Sequence, residues 1–477
     1  MKNKLIFVLV FVIAIVALEA MVLTKKSEAK IYSSDIWNKD INWSYDTETK
    51  VLTISGNGEV PACNYIVGNR DEGSGAYYSP TDFELDKSEV KKVIIEEGIT
   101  SIGEQAFGWA DEWKSLDEVV LPSTLTNIGD DAFFDASSLK TIDIPDSVIS
   151  IGSRAFQETG ITEIKLPNNL KEIGPLAFYM CDGLTEVSIP KDTIDIGYSA
   201  FGKCANLKNI YVDDENSKYN SIDGVLMTKD GSTLEQYPSG KNDNTYYIPN
   251  GISTFDPYAF DGAQNLREIV FPGSITQILL YYSESETIES LVIPKEIGDI
   301  KHVDYVSNIY CQSESLAEEY AKTNNIPYVI DDDVPVISGV VQDGKFITIN
   351  AQDEIVGLHR DAYSLDGVTW SSSNKLEIES EKEYTIYVRD KLGNIATIDF
   401  KADKFEEETE QKEESKTSET EGQSKDETST TEEKSNDDET VAKEKLGSYG
   451  DKRLFIFGVV IIIFCCIYMK YRKYMQI

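Results

Sequence analysis

The chain has 477 residues, with 45 basic against 83 acidic side chains and a formal net charge of -38. That balance speaks against a nucleic-acid binder, because phosphate contacts need Lys and Arg, and six Cys with two His speak against a dense disulfide scaffold or a His-rich metal centre. The length exceeds one ordinary domain, and a 41% hydrophobic content still supplies a core.

Residues 1–30 read as a signal peptide. Lys2 and Lys4 precede the apolar run Leu5–Leu18, and Ala20 and Ala29 mark two alternative cleavage points. At 14 residues the run is short for a membrane span.

The next feature is a repeat. An apolar residue, two others, an apolar-x-apolar triplet and a Pro recur, as in Leu116 to Pro122 and Leu139 to Pro145. Further copies end at Pro167, Pro190, Pro272 and Pro294, and Leu207–Val212 is a copy without the Pro. A second phrase, Ile-Gly-x-x-Ala-Phe, occurs at Ile102–Phe107, Ile128–Phe133, Ile151–Phe156, Ile173–Phe178 and Ile196–Phe201, with a variant at Phe255–Phe260. The first four prolines are 23, 22 and 23 residues apart. A unit this small cannot bury its own core and must stack on its neighbours. The expectation is a parallel strand ladder, one strand per coil, with the phenylalanines stacked in line inside.

These phrases resemble the BspA-type leucine-rich repeats of bacterial surface proteins, over about residues 90–330. The stretch from Trp43-Ser44-Tyr45 to Gly56-Asn57-Gly58 is similar to the N-terminal segment of that family, and 31–89 reads as a cap. The segment holding Asn220 to Leu226 and Tyr237 to Lys241 resembles an insertion those proteins carry, placed at 213–246. The second phrase is missing after Pro272 and Pro294, so coils 273–312 are degenerate. Ser315-x-x-Glu318 is a capping-box pattern, and 313–324 reads as a C-terminal capping helix.

From 333 to 402 the pattern becomes short alternating strands, including Phe346–Ala351, Tyr384–Arg389 and Ile395–Phe400. Tyr363 to Gly367, Trp370 and Val388-Arg389-Asp390 resemble bacterial immunoglobulin-like repeats, which implies a small β-sandwich acting as a spacer. Asp331-Asp332-Asp333 reads as a solvated linker. Residues 403–448 hold 17 acidic and 7 basic residues and read as a disordered stalk. A transmembrane helix is expected at 453–470 and a cytoplasmic basic tail at 471–477, since excess positive charge favours the inner side. The fold class is therefore mainly β: a leucine-rich-repeat solenoid, an immunoglobulin-like β-sandwich, a disordered stalk and one C-terminal transmembrane helix.

No catalytic, cofactor or metal motif appears; there is no nucleophile elbow, P-loop or calcium-loop spacing. His302 and His359 read as surface or structural residues. Cys181 and Cys204 fall at one offset on adjacent coils. They form either a disulfide or, the preferred reading, a pair of small buried residues. The residue between each inward pair of the ladder faces out. The candidate binding face is therefore Glu118, Val120, Thr141, Asp143, Glu163, Lys165, Glu186, Ser188, Asn209, Tyr211, Glu268 and Val270. The resemblance implies a bacterial cell-surface protein, held by a single C-terminal membrane span, that adheres to protein or glycan on host cells, neighbouring cells or matrix. A structural coat protein and a glycan-acting enzyme are the alternatives.

Overall fold

The computed structural model describes residues 30–32, 40–61, 87–108, 113–281, 288–303 and 305–405. Apart from Lys30 and residues 403–405, the expected signal peptide, stalk, membrane span and basic tail lie outside them. The described residues all fall within the first of two compact units, 1–408. Among them no helix is long and apolar enough to cross a membrane.

Two parallel ladders run along a mainly β solenoid. The first begins with the antiparallel hairpin Ile41–Asp46 and Val51–Gly56, whose second strand pairs with Lys92–Ile95 and through it with Glu118–Val120. It resumes with Glu186–Ile189 beside Asn209–Val212. The intervening copies of the first phrase keep its burial pattern, with Ile142, Ile144, Ile164 and Leu166 inside, but form no strand. The second ladder joins Gly58–Val60, Ile99–Ile102, Asn127–Ile128, Ser150–Ile151, Glu172–Ile173 and Asp195–Ile196.

Inside, Phe107, Phe133, Phe156, Phe178 and Phe201 are buried and stacked in sequence, with centroids 5.2–5.5 Å apart and planes within 17° of parallel. That separation slightly exceeds the strand spacing, so one ring per coil fills the core without voids. Backbone bonds tie the same turns together: the amides of Phe107, Phe133, Phe156 and Phe178 donate to the carbonyls of Ala132, Ala155, Ala177 and Ala200. The repeated Gly serves close approach. A Cβ on Gly129 would lie 2.7 Å from the Ile102 carbonyl oxygen. The left-handed residues that turn the coil stand elsewhere, at Gln105, Asp131, Arg154, Leu176 and Ser199.

The expected insertion, 213–246, holds an antiparallel hairpin and then rejoins the second ladder. Its hairpin, Tyr219–Ile222 with Val225–Thr228, turns at Asp223-Gly224, both with positive φ. Asn216 pins it by donating to the Pro190 and Thr193 carbonyls and accepting from the Lys218 and Tyr219 amides. Thr233–Gln236 then pairs with Thr254–Phe255, and Tyr237 takes the place of the missing Phe, its ring 5.7 Å from Phe260. The buried core divides here into one cluster reaching Leu226 and a second from Val225 to Ile326.

The degenerate coils keep both ladders. Thr245–Tyr247, Glu268–Val270, Ser290–Ile293, Asn308–Cys311 and Tyr328–Ile330 pair in order, and Ile278–Leu279 pairs with Ile300–Lys301. The helix Leu316–Asn324 follows, capped by the Ser315 hydroxyl accepting from the Glu318 amide at 3.2 Å.

Beyond it lie two three-stranded antiparallel sheets: Val336–Asp343, Phe346–Gln352 and Lys375–Glu377, and Leu358–Ser364, Glu383–Asp390 and Ile395–Lys401. Ile347 and Ile349 of one meet Ile386 and Val388 of the other in a shared core. This β-module is docked on the solenoid. Val356 and Leu392, at the tips of two of its loops, bury against Val270 and Val292 of the strand face.

Candidate ligand-binding face

Because alternate residues of a strand point to opposite sides, the inward residues Val119, Ile142, Ile164, Val187 and Ile210 leave one outward column between coils. In the first half that column is Val120, Asp143, Lys165, Ser188 and Tyr211, all exposed. Beside it stand Glu118, Thr141, Glu163 and Glu186, exposed, and Asn209, half-buried. Glu186 faces Asn209 and Ser188 faces Tyr211 across one parallel pair. Glu118 is engaged by Lys92 at 2.6 Å. The exposed apolar members are Val120, 39% exposed, and Tyr211, 46% exposed, at opposite ends of a strip of mostly carboxylate and hydroxyl groups.

The second half of the same column is Tyr247, Val270, Val292 and Tyr310, and the β-module covers it. Val270, expected on the open face, is only 2% exposed. Glu268 is held by Lys391 of the β-module at 2.6 Å, both groups mostly buried, and by the Thr245 hydroxyl at 3.2 Å. Tyr247 packs edge-on against the His359 ring at 4.9 Å and under the Arg360 guanidinium at 5.7 Å. Gln312 donates to the Asn394 side chain at 2.7 Å. The outward column carries a signal for this: the polar residues Asp143, Lys165 and Ser188 at the centre of its first half give way to an unbroken Tyr, Val, Val and Tyr in its second.

His359 is thus half-buried between the two parts. Burial, and then the Arg389 charge, push its pKa down to about 4, and its Nδ1 accepts from the Asp361 amide at 3.0 Å. Cys181 and Cys204 are free thiols in a buried column, donating to the Phe156 and Phe178 carbonyls at 3.1 Å. Burial pushes the Cys181 thiol up to about 12, so it is inert at neutral pH. Glu235 and Asp256 line a recess at the seam between the two cores. Burial, with the Asp256 charge adding to it, raises Glu235 to about 7.

Two further groupings have no sequence motif. Tyr198, Tyr258, Tyr281 and His302 form a row of rings 5.7, 5.3 and 5.1 Å apart, and the three tyrosines are exposed. At the junction with the β-module, Asp331, Asp353 and Asp390 bring carboxylate oxygens within 4.8 Å of one another. Asp331, expected in a solvated linker, is 1% exposed, because the docked β-module closes over it.

Comparison with known proteins gives the repeats their family. Residues 110–222 and 239–317 match the BspA type leucine rich repeat region, in six copies. The chain carries BspA-type leucine-rich repeats. It is similar to a leucine-rich repeat protein from Eubacterium ventriosum, with 26% identity over 60% of this chain and 73% of that one and a TM-score of 0.50. It is also similar to the pneumococcal vaccine antigen PcpA, with 18% identity over 64% and 99% of the two chains and a TM-score of 0.39. A leucine rich cell surface protein from Faecalibacterium prausnitzii matches with 20% identity over 64% and 95% and a TM-score of 0.38. No curated protein matches. Five of the coils here contribute a stacked Phe to the core, and each strand-face copy contributes one outward residue.

Proposed function

We propose that this is a bacterial cell-surface binding protein, anchored by its C-terminal apolar run, which holds a protein ligand on the open half of its strand face in adhesion. The supporting observation is the asymmetry of that face. Its apolar half already has a partner within the chain, while the strip from Glu118 to Tyr211 remains exposed in two columns except at the half-buried Asn209. Repeat surfaces of this kind bind macromolecules along their length, and a Tyr beside carboxylates supplies an anchor with a polar surround. The β-module, read as immunoglobulin-like, serves to hold one half closed rather than to space the solenoid from the membrane. Reversing Asp143, Glu163 and Glu186 together to Lys is expected to abolish binding of the full chain to its target cells or matrix in a cell-adhesion assay. Unchanged binding would show that the strand face is the wrong surface.

A second reading rests on the tyrosine row. Rings in line at 5.1–5.7 Å, the three tyrosines exposed, suit contact with a glycan chain. Replacing Tyr198, Tyr258 and Tyr281 by Ala would then remove glycan-array binding and spare protein ligands.

A further inference from the structure

The three carboxylates at the junction come from three separate segments. Asp331 follows the last solenoid strand, Tyr328–Ile330; Asp353 follows Phe346–Gln352; Asp390 ends Glu383–Asp390. Each is held in place by neighbouring donors. The Asp333 amide donates to Asp331 Oδ1, and the amides of Ile355, Val356 and Gly357 donate to Asp353 Oδ1. The Asn394 amide and side chain donate to the two oxygens of Asp390. Asp331 Oδ2 is buried and has no hydrogen-bond partner, and Asp390 is wholly buried. Among the described residues no ion pair reaches any of the three.

Three negative charges this close, in a site of low dielectric, repel strongly. A proton on one carboxylate would leave two charges. A divalent cation neutralises two and gives the orphaned Oδ2 the partner it lacks. Carboxylate oxygens are the ligands of hard cations, and calcium coordinates them at about 2.3–2.6 Å. Carboxylate oxygens within 4.8 Å of one another can all reach one such ion, whereas magnesium demands near-ideal octahedral geometry and keeps several waters, which a dry site of three protein carboxylates suits less.

We propose that Asp331, Asp353 and Asp390 bind one divalent cation of calcium's size, which clamps the β-module to the end of the solenoid. Binding would set how firmly the closed half of the strand face stays closed. The ligands are dispersed in sequence, which is why no calcium-loop spacing announces them.

The test uses the full chain, stripped with a chelator and titrated calorimetrically with calcium or magnesium chloride. Asp353→Asn is titrated alongside, since its amide oxygen still accepts from the loop amides, and Asp143→Asn serves as a surface control. The expected result is one equivalent of calcium lost in Asp353→Asn and none in Asp143→Asn. Calcium should also raise the unfolding midpoint of the native chain, and magnesium should raise it less. Equal stoichiometry in all three proteins, or a native midpoint that calcium does not move, would overturn the site and leave carboxylates that share protons. An equal response to magnesium would overturn the assignment to an ion of calcium's size. Should Asp353→Asn fail to fold, the native chain's midpoint with and without calcium decides alone.

Discussion

The two halves of the strand face share one backbone plan and differ in a single column of side chains. Val120, Asp143, Lys165, Ser188 and Tyr211 leave the first half open. Tyr247, Val270, Val292 and Tyr310 give the second half an apolar strip that Val356 and Leu392 cover. The ladder is thus neutral as to partner, and the outward residue decides whether a coil docks within the chain or faces solvent. An exposed apolar strip would be a liability, so the second half is stable only with its lid.

The largest effect should come from the core of the open half. Phe156→Ala removes one ring of the stack and is expected to cost about 3–5 kcal/mol. Because the core divides near the 219–228 hairpin, chemical denaturation should show the first half unfolding at lower denaturant while the second keeps its transition. Loss of both halves together would join what the comparison separates.

Next, Glu268→Lys sets two cations against each other in the closed half. We expect about 2 kcal/mol of lost stability, less than for a fully buried pair because both groups keep some solvent. The β-module should then unfold in a separate, earlier calorimetric transition.

At the seam, Glu235 has its pKa raised from 4.5 to about 7. The folded chain holds a proton in this window that the unfolded chain has released. Stability therefore falls as pH rises from about 4.5 to 7. Glu235→Gln should flatten that slope and add about 1–2 kcal/mol at pH 8, a figure reduced for partial exposure. Unfolding midpoints at a series of pH values check both signs.

The smallest stability effect belongs to the open half. Asp143→Lys, Glu163→Lys and Glu186→Lys together should change the unfolding free energy by no more than about 0.5 kcal/mol each, since none is in an ion pair that a reversal would break.

Much of this fold is readable from the sequence because a solenoid is built of local, repeated contacts. The five phenylalanines, the buried Ala beside each, and the Ser315 cap are all fixed by spacing within one or two coils. The role of Tyr237 within the 213–246 segment is harder to read, because Tyr237 stands where the phrase would show Phe and the hairpin hides the period. The strands near Asp143 and Lys165 do not form, although Ile142 and Ile164 are buried, because burial needs only the alternation while a strand needs paired amides. The docked lid, and with it the aspartate cluster, lies beyond local pattern altogether. Val270 was expected to face outward, and it does; what covers it comes from Val356 and Leu392, far along the chain.

The measurement that bears most directly on the half-open face is thiol labelling. Ser188→Cys and Val292→Cys are made separately in the full chain, and maleimide incorporation at each position is followed by peptide mapping. A Cys at 188 should label at the rate of an unfolded chain, and one at 292 should stay protected until the β-module is undocked by Glu268→Lys. Equal rates at the two positions in the otherwise native chain would contradict the account.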